Sequence, residues 1–373
     1  MKRVIVSIVS EQTIPNYIFI KEMYNEGDKL MFITSKGESF KIKEQNIINT
    51  LSIFSAEDII RIQLQNLGDE ENWAAMDSAI KPFLSEDSEY IVNLTGGTKY
   101  MALSIETIFS KYNSSFYYVP FPKNIILKLK THETVDISYR VNIDEYMSLY
   151  GLPIRSGKLV WDYDYAKDFF QKFKTLSQNE FSILEKLRLY RDTKPIEISF
   201  LETQENTEKK PRIEGLSSFL EKISYPKTEG KIDKYDIRYI TGGWFEEYIY
   251  HLMKDCLSPS DIKIGVLIEK STNTNMNDLD VVFTLGNKLF VIECKTGVGG
   301  RSLFSQIVYK ASALKETLFG LSGKTYIYSL SPEDKDLKTV ASNMGVTYCD
   351  ETYFNNEEKI QELITSIKLY AND

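Results

Sequence analysis

The sequence predicts an α/β protein of three successive units, and three observations carry that prediction. Residues 1–155 alternate apolar strand-like runs with amphipathic stretches, and residues 156–238 are charged and rich in helical spacing. Residues 239–373 contain a strand-turn-strand segment that carries two acids and a lysine at one end. With 42% hydrophobic, 13% aromatic and 26% charged residues, the chain has the composition of a folded globular protein. Its 373 residues suffice for two or three domains.

The first unit opens with the strand-like run Arg3 to Val9, followed by the loop Ser10-Glu-Gln-Thr-Ile-Pro15 and an amphipathic stretch from Asn16 to Met23. A second strand is expected over Lys29 to Thr34, mixed helix and strand over Ala56 to Leu67, and a third clear strand over Glu89 to Leu94. That strand ends in Thr95-Gly-Gly-Thr-Lys99, a helix follows over Tyr100 to Phe109, and Ser115 to Pro120 returns to strand character. The pattern is Rossmann-like, with parallel strands covered by helices.

The second unit has helical spacing over Asn179 to Tyr190 and Arg212 to Ile223, separated by the charged segment Glu202 to Lys210. Such short helices are compatible with a small winged-helix-like module or with a connector between larger domains. The third unit starts with Gly242-Gly-Trp-Phe-Glu-Glu-Tyr-Ile-Tyr-His251, read as a helix after a glycine turn, and continues through a strand over Ile264 to Glu269.

Charge and composition then narrow the chemistry. There are 45 Lys plus Arg against 53 Asp plus Glu, a net charge of −8, so a polyanion must be held locally rather than by the overall field. Three scattered cysteines, Cys256, Cys294 and Cys349, argue against a disulfide framework or a thiolate zinc site. Only two histidines, His132 and His251, are present, which leaves carboxylates as the metal ligands to expect. No apolar run approaches a membrane span, and Val4 to Val9 reads as a strand rather than a signal segment, so a cytoplasmic protein is expected.

The strongest local signal is the run Asp280-Val-Val-Phe-Thr-Leu285, Gly286-Asn287, Lys288-Leu-Phe-Val-Ile-Glu293-Cys294-Lys295. A two-residue turn at Gly286-Asn287 makes residues whose numbers add to 573 face one another, so Asp280 lies opposite Glu293 and Asp278 opposite Lys295. Two facing carboxylates repel unless a cation or a hydrogen bond compensates them, and a hard divalent ion does so without histidine. Mg²⁺ or Mn²⁺ held by Asp280, Glu293 and the backbone carbonyl of Cys294 would polarise a phosphodiester, with Lys295 stabilising phosphoryl charge. Glu247 is expected to lend a further carboxylate from the preceding helix, with Glu246 about 100° away as the weaker candidate and His251 as packing. Gln306 is a polar residue that either faces the site or the solvent.

Asp280 followed by Glu293-Cys294-Lys295 resembles the PD-(D/E)xK restriction-endonuclease-like nuclease motif, without the proline of the motif's name. The resemblance implies Asp280 and Glu293 as metal ligands, Lys295 as the catalytic lysine and Glu247 as the acid of the first core helix. It also implies that a helix over Arg301 to Phe319 and strands over Thr325 to Leu330 and Gly345 to Cys349 complete the α/β core.

In the first unit, the loop at Thr95 to Lys99 offers backbone amides, the hydroxyls of Thr95 and Thr98 and the ammonium of Lys99 to a phosphate or a nucleotide edge. It is neither a dinucleotide fingerprint nor a P-loop. Together with the Ser10 to Asn16 loop it resembles the ligand elements of the CRISPR-associated Rossmann-fold (CARF) sensor domain. With the nuclease motif, the whole chain resembles the cyclic-oligoadenylate-activated CRISPR ancillary nucleases of the Can and Card type. The resemblance implies a homodimer with a shared pocket for a cyclic oligoadenylate, commonly cyclic tetra-adenylate, which activates metal-dependent cleavage of DNA, RNA or both in type III antiviral defence. By that resemblance Ser10, Gln12, Thr95, Gly96, Gly97, Thr98 and Lys99 are the pocket residues. Single-stranded DNA or RNA and supercoiled DNA are the expected substrates. A ligand-independent restriction or repair nuclease, or a non-catalytic winged-helix regulator, are the alternatives.

Overall fold

The computed structural model describes residues 2–52, 54–207, 210–226, 230–269, 277–297 and 323–372. The first unit is a seven-stranded sheet in the order β3-β2-β1-β4-β5-β6-β7. Its strands are β1 (Lys2–Ile8), β2 (Lys29–Thr34), β3 (Ile59–Gln63), β4 (Ser88–Asn93), β5 (Ser114–Tyr118), β6 (Ile125–Lys128) and β7 (Thr134–Asp136). The first five pair in parallel, and the last two turn back antiparallel at the edge. Strand β1 reads as a continuous apolar run because both its faces are covered: Ile5 enters one core, while Val4, Val6 and Ile8 enter another.

Helices α1 (Ile14–Met23), α2 (Glu38–Leu51), α3 (Trp73–Ile80), α4 (Lys99–Phe109) and α5 (Ile143–Leu149) cover this sheet. Chain order reverses between β1 and β4, so the loops leaving these two strands open a crevice at the carboxyl ends of the sheet.

The connecting unit contains β8 (Ile154–Arg155), α6 (Tyr163–Phe173), α7 (Gln178–Arg188), β9 (Ile196–Glu197), α8 (Ile198–Thr203), α9 (Leu216–Lys222) and β10 (Lys231–Ile232). Strands β9 and β10 pair antiparallel as a small wing would. Strand β8 pairs with β11 in the sheet of the third unit, so the chain joins that sheet before α6. The helical spacing over Arg212 to Ile223 yields a helix only from Leu216, after Gly215 at φ 75°.

The third unit is a six-stranded sheet in the order β15-β14-β13-β12-β11-β8. The new strands are β11 (Asp261–Ile268), β12 (Asn277–Leu285), β13 (Lys288–Lys295), β14 (Lys324–Ser329) and β15 (Val346–Cys349). Helix α10 (Lys234–Arg238) runs through a π-helical turn, Tyr239–Gly243, into α11 (Trp244–Leu257), and α12 (Lys335–Asn343), α13 (Glu351–Phe354) and α14 (Glu357–Asn372) follow the later strands. The Gly242-Gly243 pair therefore does not start the helix as its composition suggests. Gly243 is right-handed at φ −57°, and the widened turn absorbs both glycines. The expected helix over Arg301 to Phe319, with Gln306, lies outside the described residues.

The second sheet lies between two cores. One face sends Val281, Phe283, Phe290, Ile292 and Cys294 into a core shared with the connector, α11 and α14. Val266, Ile268, Leu279, Val282, Leu289 and Val291 join instead the core of α1 and α5, with Ile14, Tyr17, Tyr146 and Met147. The helices beneath the first sheet's crevice thus pack directly on the sheet that carries the acids.

Candidate active site and ligand crevice

The β12-β13 hairpin builds the site. Its pairs, from Val281 with Ile292 to Leu285 with Lys288, follow the register expected from a two-residue turn; the pairing ends one step short of Asp280 and Glu293, whose carboxylates meet through the Lys295 ammonium. Gly286 at φ 58° and Asn287 at φ 61° make that turn, whose twist matches the strands. A side chain at Gly286 would meet the Ala371 carbonyl oxygen at 2.1 Å, so the turn is also wedged under α14. Asn287, fully enclosed, accepts from the Val141 amide at 2.9 Å and donates to Asn124 Oδ1 at 2.8 Å and the Tyr139 carbonyl at 3.1 Å, tying the tip to the first unit.

At the other end of the hairpin, Asp280 Oδ2 accepts the Cys294 amide at 2.6 Å and the Lys295 ammonium at 3.1 Å. The same ammonium lies 3.3 Å from Glu293 Oε2. Asp280 and Glu293 are both buried, whereas the Lys295 side chain keeps some exposure. Burial pulls the Lys295 ammonium down, but the Asp280 and Glu293 carboxylates more than reverse this and hold it firmly charged. Cys294 packs in the core and its thiol is pushed well up, by burial first and then by Asp280. Its thiol is no metal ligand in this arrangement, and the part left to Cys294 is its backbone.

The two adjacent glutamates of α11 have different surroundings. Glu247, buried on the face of α11 shared with Trp244 and Tyr248, packs toward the connector, where Phe169 stacks on Trp244 at 4.6 Å and Phe170 on Tyr248 at 4.5 Å. Its carboxylate accepts from the amides of Val160 and Trp161 and from the Tyr239 hydroxyl at 2.9 Å, so it fastens the chain entering α6. Glu246 is the residue whose carboxyl feels the site: it is held well above the usual range by burial, then by Asp280, with Asp278 and Glu293 adding to the effect and Lys295 opposing it. Neighbours on the face toward the sheet, not proximity to His251, were the signal for Glu246. His251 stacks on Tyr163 at 5.1 Å, a packing role as expected.

Among the described residues, no group of three or more His, Cys, Asp or Glu side chains forms a metal cage. Asp280 and Glu293 nevertheless converge on one cation, the Lys295 ammonium, and both offer hard oxygen atoms. That donor set fits an open site for Mg²⁺ or Mn²⁺, which retain several waters and need few protein ligands.

In the first unit, the β1 and β4 loops enclose a cavity of about 380 Å³ whose walls include Ser10, Gln12, Thr95, Gly97 and Thr98. Glu11, Asn16, Ser35, Phe40 and Met101 also line it; Glu11 and Asn16 belong to the first loop and Met101 to the helix expected over Tyr100 to Phe109. Gly96 is set into the floor rather than the wall: a Cβ there would stand 1.9 Å from the Ile8 carbonyl oxygen. Lys99 is exposed at the first position of α4 and is not part of the wall. The Thr95 hydroxyl donates to Asn93 Oδ1 at 2.5 Å and accepts the Val119 amide at 2.7 Å. The Thr98 hydroxyl caps α4 by accepting the Met101 amide at 3.1 Å. With one donor and one of two lone pairs so engaged, the Thr95 hydroxyl keeps a second lone pair at the cavity wall. Asn93, buried below, donates to Asn16 Oδ1 at 3.1 Å, and this bond links the β4 loop to α1.

No curated protein matches the chain in sequence at a significant level. The Card1 CARF domain family matches residues 4–146, and the Card1-like endonuclease domain family matches residues 233–362. In fold, the chain is similar to protein VC1899 from Vibrio cholerae, with a TM-score of 0.76 at 17% identity over 100% of this chain and 99% of that one. It is also similar to Can2 from Sulfobacillus thermosulfidooxidans, solved in complex with cyclic tetra-adenylate, with a TM-score of 0.69 at 21% identity over 97% of this chain and 99% of that one. A type III CRISPR defence DNA nuclease activated by cyclic oligoadenylate aligns with a TM-score of 0.56 at 12% identity, over 98% of this chain and 52% of that one.

Proposed function

The chain joins a CARF domain of the Card1 type to a Card1-like endonuclease domain, and from that premise we propose that it is a nuclease of type III CRISPR defence, activated by a cyclic oligoadenylate and dependent on Mg²⁺ or Mn²⁺. The observation that carries the reading is the convergence of Asp280, Glu293 and Lys295 at one end of the hairpin, with Glu246 in their field. Asp280, Glu293 and the Cys294 carbonyl would hold the metal, which supplies Lewis-acid polarisation of the scissile phosphate and an activated water. Lys295, kept charged by its two carboxylates, donates to a phosphate oxygen and stabilises the charge that develops there. Glu246 replaces Glu247 in the acidic set.

The β1-β4 crevice is the proposed seat of cyclic tetra-adenylate, contacted by Ser10, Gln12, Gly97 and Thr98, with Gly96 shaping the floor and Lys99 at the mouth. Thr95 acts there through the turn it closes. Exposed Tyr100 and Leu103 on α4 give a second copy an apolar surface beside the crevice, which supports a homodimer. Ligand-induced movement of α1 reaches the nuclease sheet through the core they share. Single-stranded DNA or RNA and supercoiled DNA are the proposed substrates.

The test is cleavage of single-stranded RNA, single-stranded DNA and supercoiled plasmid, with Mg²⁺ or Mn²⁺, with and without cyclic tetra-adenylate. Cleavage that needs the ligand and vanishes in Glu293→Ala is the expected result. Cleavage indifferent to the ligand would turn the reading to a restriction or repair nuclease with the first domain as scaffold.

A further inference from the structure

Two arginines of the connector reach into the nuclease unit. Arg188, the last residue of α7, donates to the Gly297 carbonyl at 2.8 Å, to Thr296 Oγ1 at 2.7 Å and to the Thr241 carbonyl at 3.4 Å. Arg191, one turn on, donates to Thr241 Oγ1 at 2.9 Å and to the Thr241 carbonyl at 3.2 Å. Thr296 completes the knot by donating to the same carbonyl at 3.0 Å. Both threonines are buried, and a Cβ at the neighbouring Gly242 would come to 3.5 Å from the Arg191 guanidinium.

The acceptors are the roots of the two segments that carry the site. Thr241 sits in the π-helical turn, five residues before Glu246 in one unbroken helical run. Thr296 and Gly297 directly follow Lys295. A π turn offers main-chain oxygen atoms outside the regular ladder, and here the Thr241 carbonyl takes bonds from three side chains. The planar fork of an arginine can span several acceptors at fixed angles, which a lysine cannot. Arg188 and Arg191 lie between the two segments matched by the domain families, so neither match accounts for them.

We propose that Arg188 and Arg191 are positioning residues of the nuclease site, locking the helix of Glu246 to the strand of Glu293 and Lys295, so that the connector completes the site rather than merely joining two domains. This inference rests on the nuclease reading above. The guanidinium groups act through Thr241, Thr296 and Gly297, and what they fix is the start of α11 against the end of β13.

The experiment uses the full chain, with Arg188→Lys, Arg191→Lys and Thr296→Val each compared with the unaltered protein. Steady-state cleavage with Mn²⁺ and cyclic tetra-adenylate gives kcat and KM, calorimetric titration without substrate gives the Mn²⁺ affinity, and thermal unfolding reports the fold. The expected result is a loss of roughly 10- to 100-fold in kcat and in Mn²⁺ affinity, as for outer-shell partners of metal sites, with KM held within about twofold. Arg188→Lys combined with Thr296→Val should cost no more than the worse single change, since both break one network. Unchanged kcat and Mn²⁺ affinity per folded molecule would overturn the inference, and so would a rise in KM alone, which marks a substrate contact. If Arg188→Lys does not fold, Arg191→Lys and Thr296→Val decide by the same two readouts. Should the unaltered protein neither cleave nor bind Mn²⁺, the nuclease reading fails and takes this inference with it. Variants matching an active parent reject the inference alone.

Discussion

The Lys295 ammonium lies 3.1 Å from Asp280 Oδ2, the oxygen that also accepts the Cys294 amide, so one carboxylate atom fixes both the backbone and the side chain at the end of β13. With Glu293 on its other side, Lys295 is held in the charged form and aimed by the strand itself. This is a device for orienting a cation, and it sets the first prediction.

Lys295→Met should lower cleavage on the order of 10²- to 10³-fold, the usual effect of removing one group that stabilises transition-state charge. Asp280→Asn and Glu293→Ala should abolish both cleavage and Mn²⁺ binding, whereas Lys295→Met should retain metal binding. Cleavage assays and calorimetric titration, with chelation by EDTA as the metal-free control, separate the two effects.

Glu246 and Glu247, adjacent in sequence, should fail in different ways. Glu246→Gln removes a carboxyl from a negative, partly buried setting, so activity should fall while the thermal midpoint holds or rises. Glu247→Ala strands the amides of Val160 and Trp161 and the Tyr239 hydroxyl, and should cost about 1–3 kcal/mol of stability, with cleavage per folded molecule largely kept. Unfolding curves and kcat measured on the same preparations check both.

Asn287 ties the hairpin tip to the first domain. Asn287→Ala leaves the Val141 amide without its acceptor and should destabilise the protein by about 1–3 kcal/mol. The ratio of cleavage rates with and without cyclic tetra-adenylate should fall as well, because the tip and α1 share a core. An unchanged ratio would show that the coupling runs elsewhere.

Acid should loosen the connector through Glu180. Its carboxyl is lowered from 4.5 to about 2, by the hydrogen bond from Lys222 first and the Ser177 amide next. A folded-state value below the unfolded one means that the stabilisation is complete above pH 4.5 and is lost as the pH falls toward 2. Glu180→Gln should therefore be less stable than the parent at neutral pH, and the gap should close below pH 4.5, as urea midpoints across that range would show.

Much of this was legible in the sequence because short-range rules governed it. A two-residue turn with Gly286 and Asn287 leaves one register, and the pairs from Val281 with Ile292 to Leu285 with Lys288 follow it. The β4 loop was readable as a turn between strand and helix, whereas the close approach of Gly96 to the end of β1 came only with the fold. The start of α11 was not. Gly242-Gly243 has the composition of a turn, and only the packing of the helical run against the connector makes it a π turn instead.

What the sequence by itself determined is the local chemistry: an acid, an acid and a lysine fixed by strand periodicity, and a loop placed where parallel strands reverse order. Tertiary structure decided what those groups face. Glu246 and Glu247 differ by one step along a helix, and which one feels the charge of Asp280 depends on what each side of α11 packs against. Thr95 lines the cavity, and its hydroxyl also takes the Val119 amide from 24 residues away. Arg188 carries no motif, and only the folded chain brings it to Thr296, 108 residues later. Periodicity is a property of neighbours along the chain, whereas the partner of a buried polar group is chosen by whichever distant segment satisfies it.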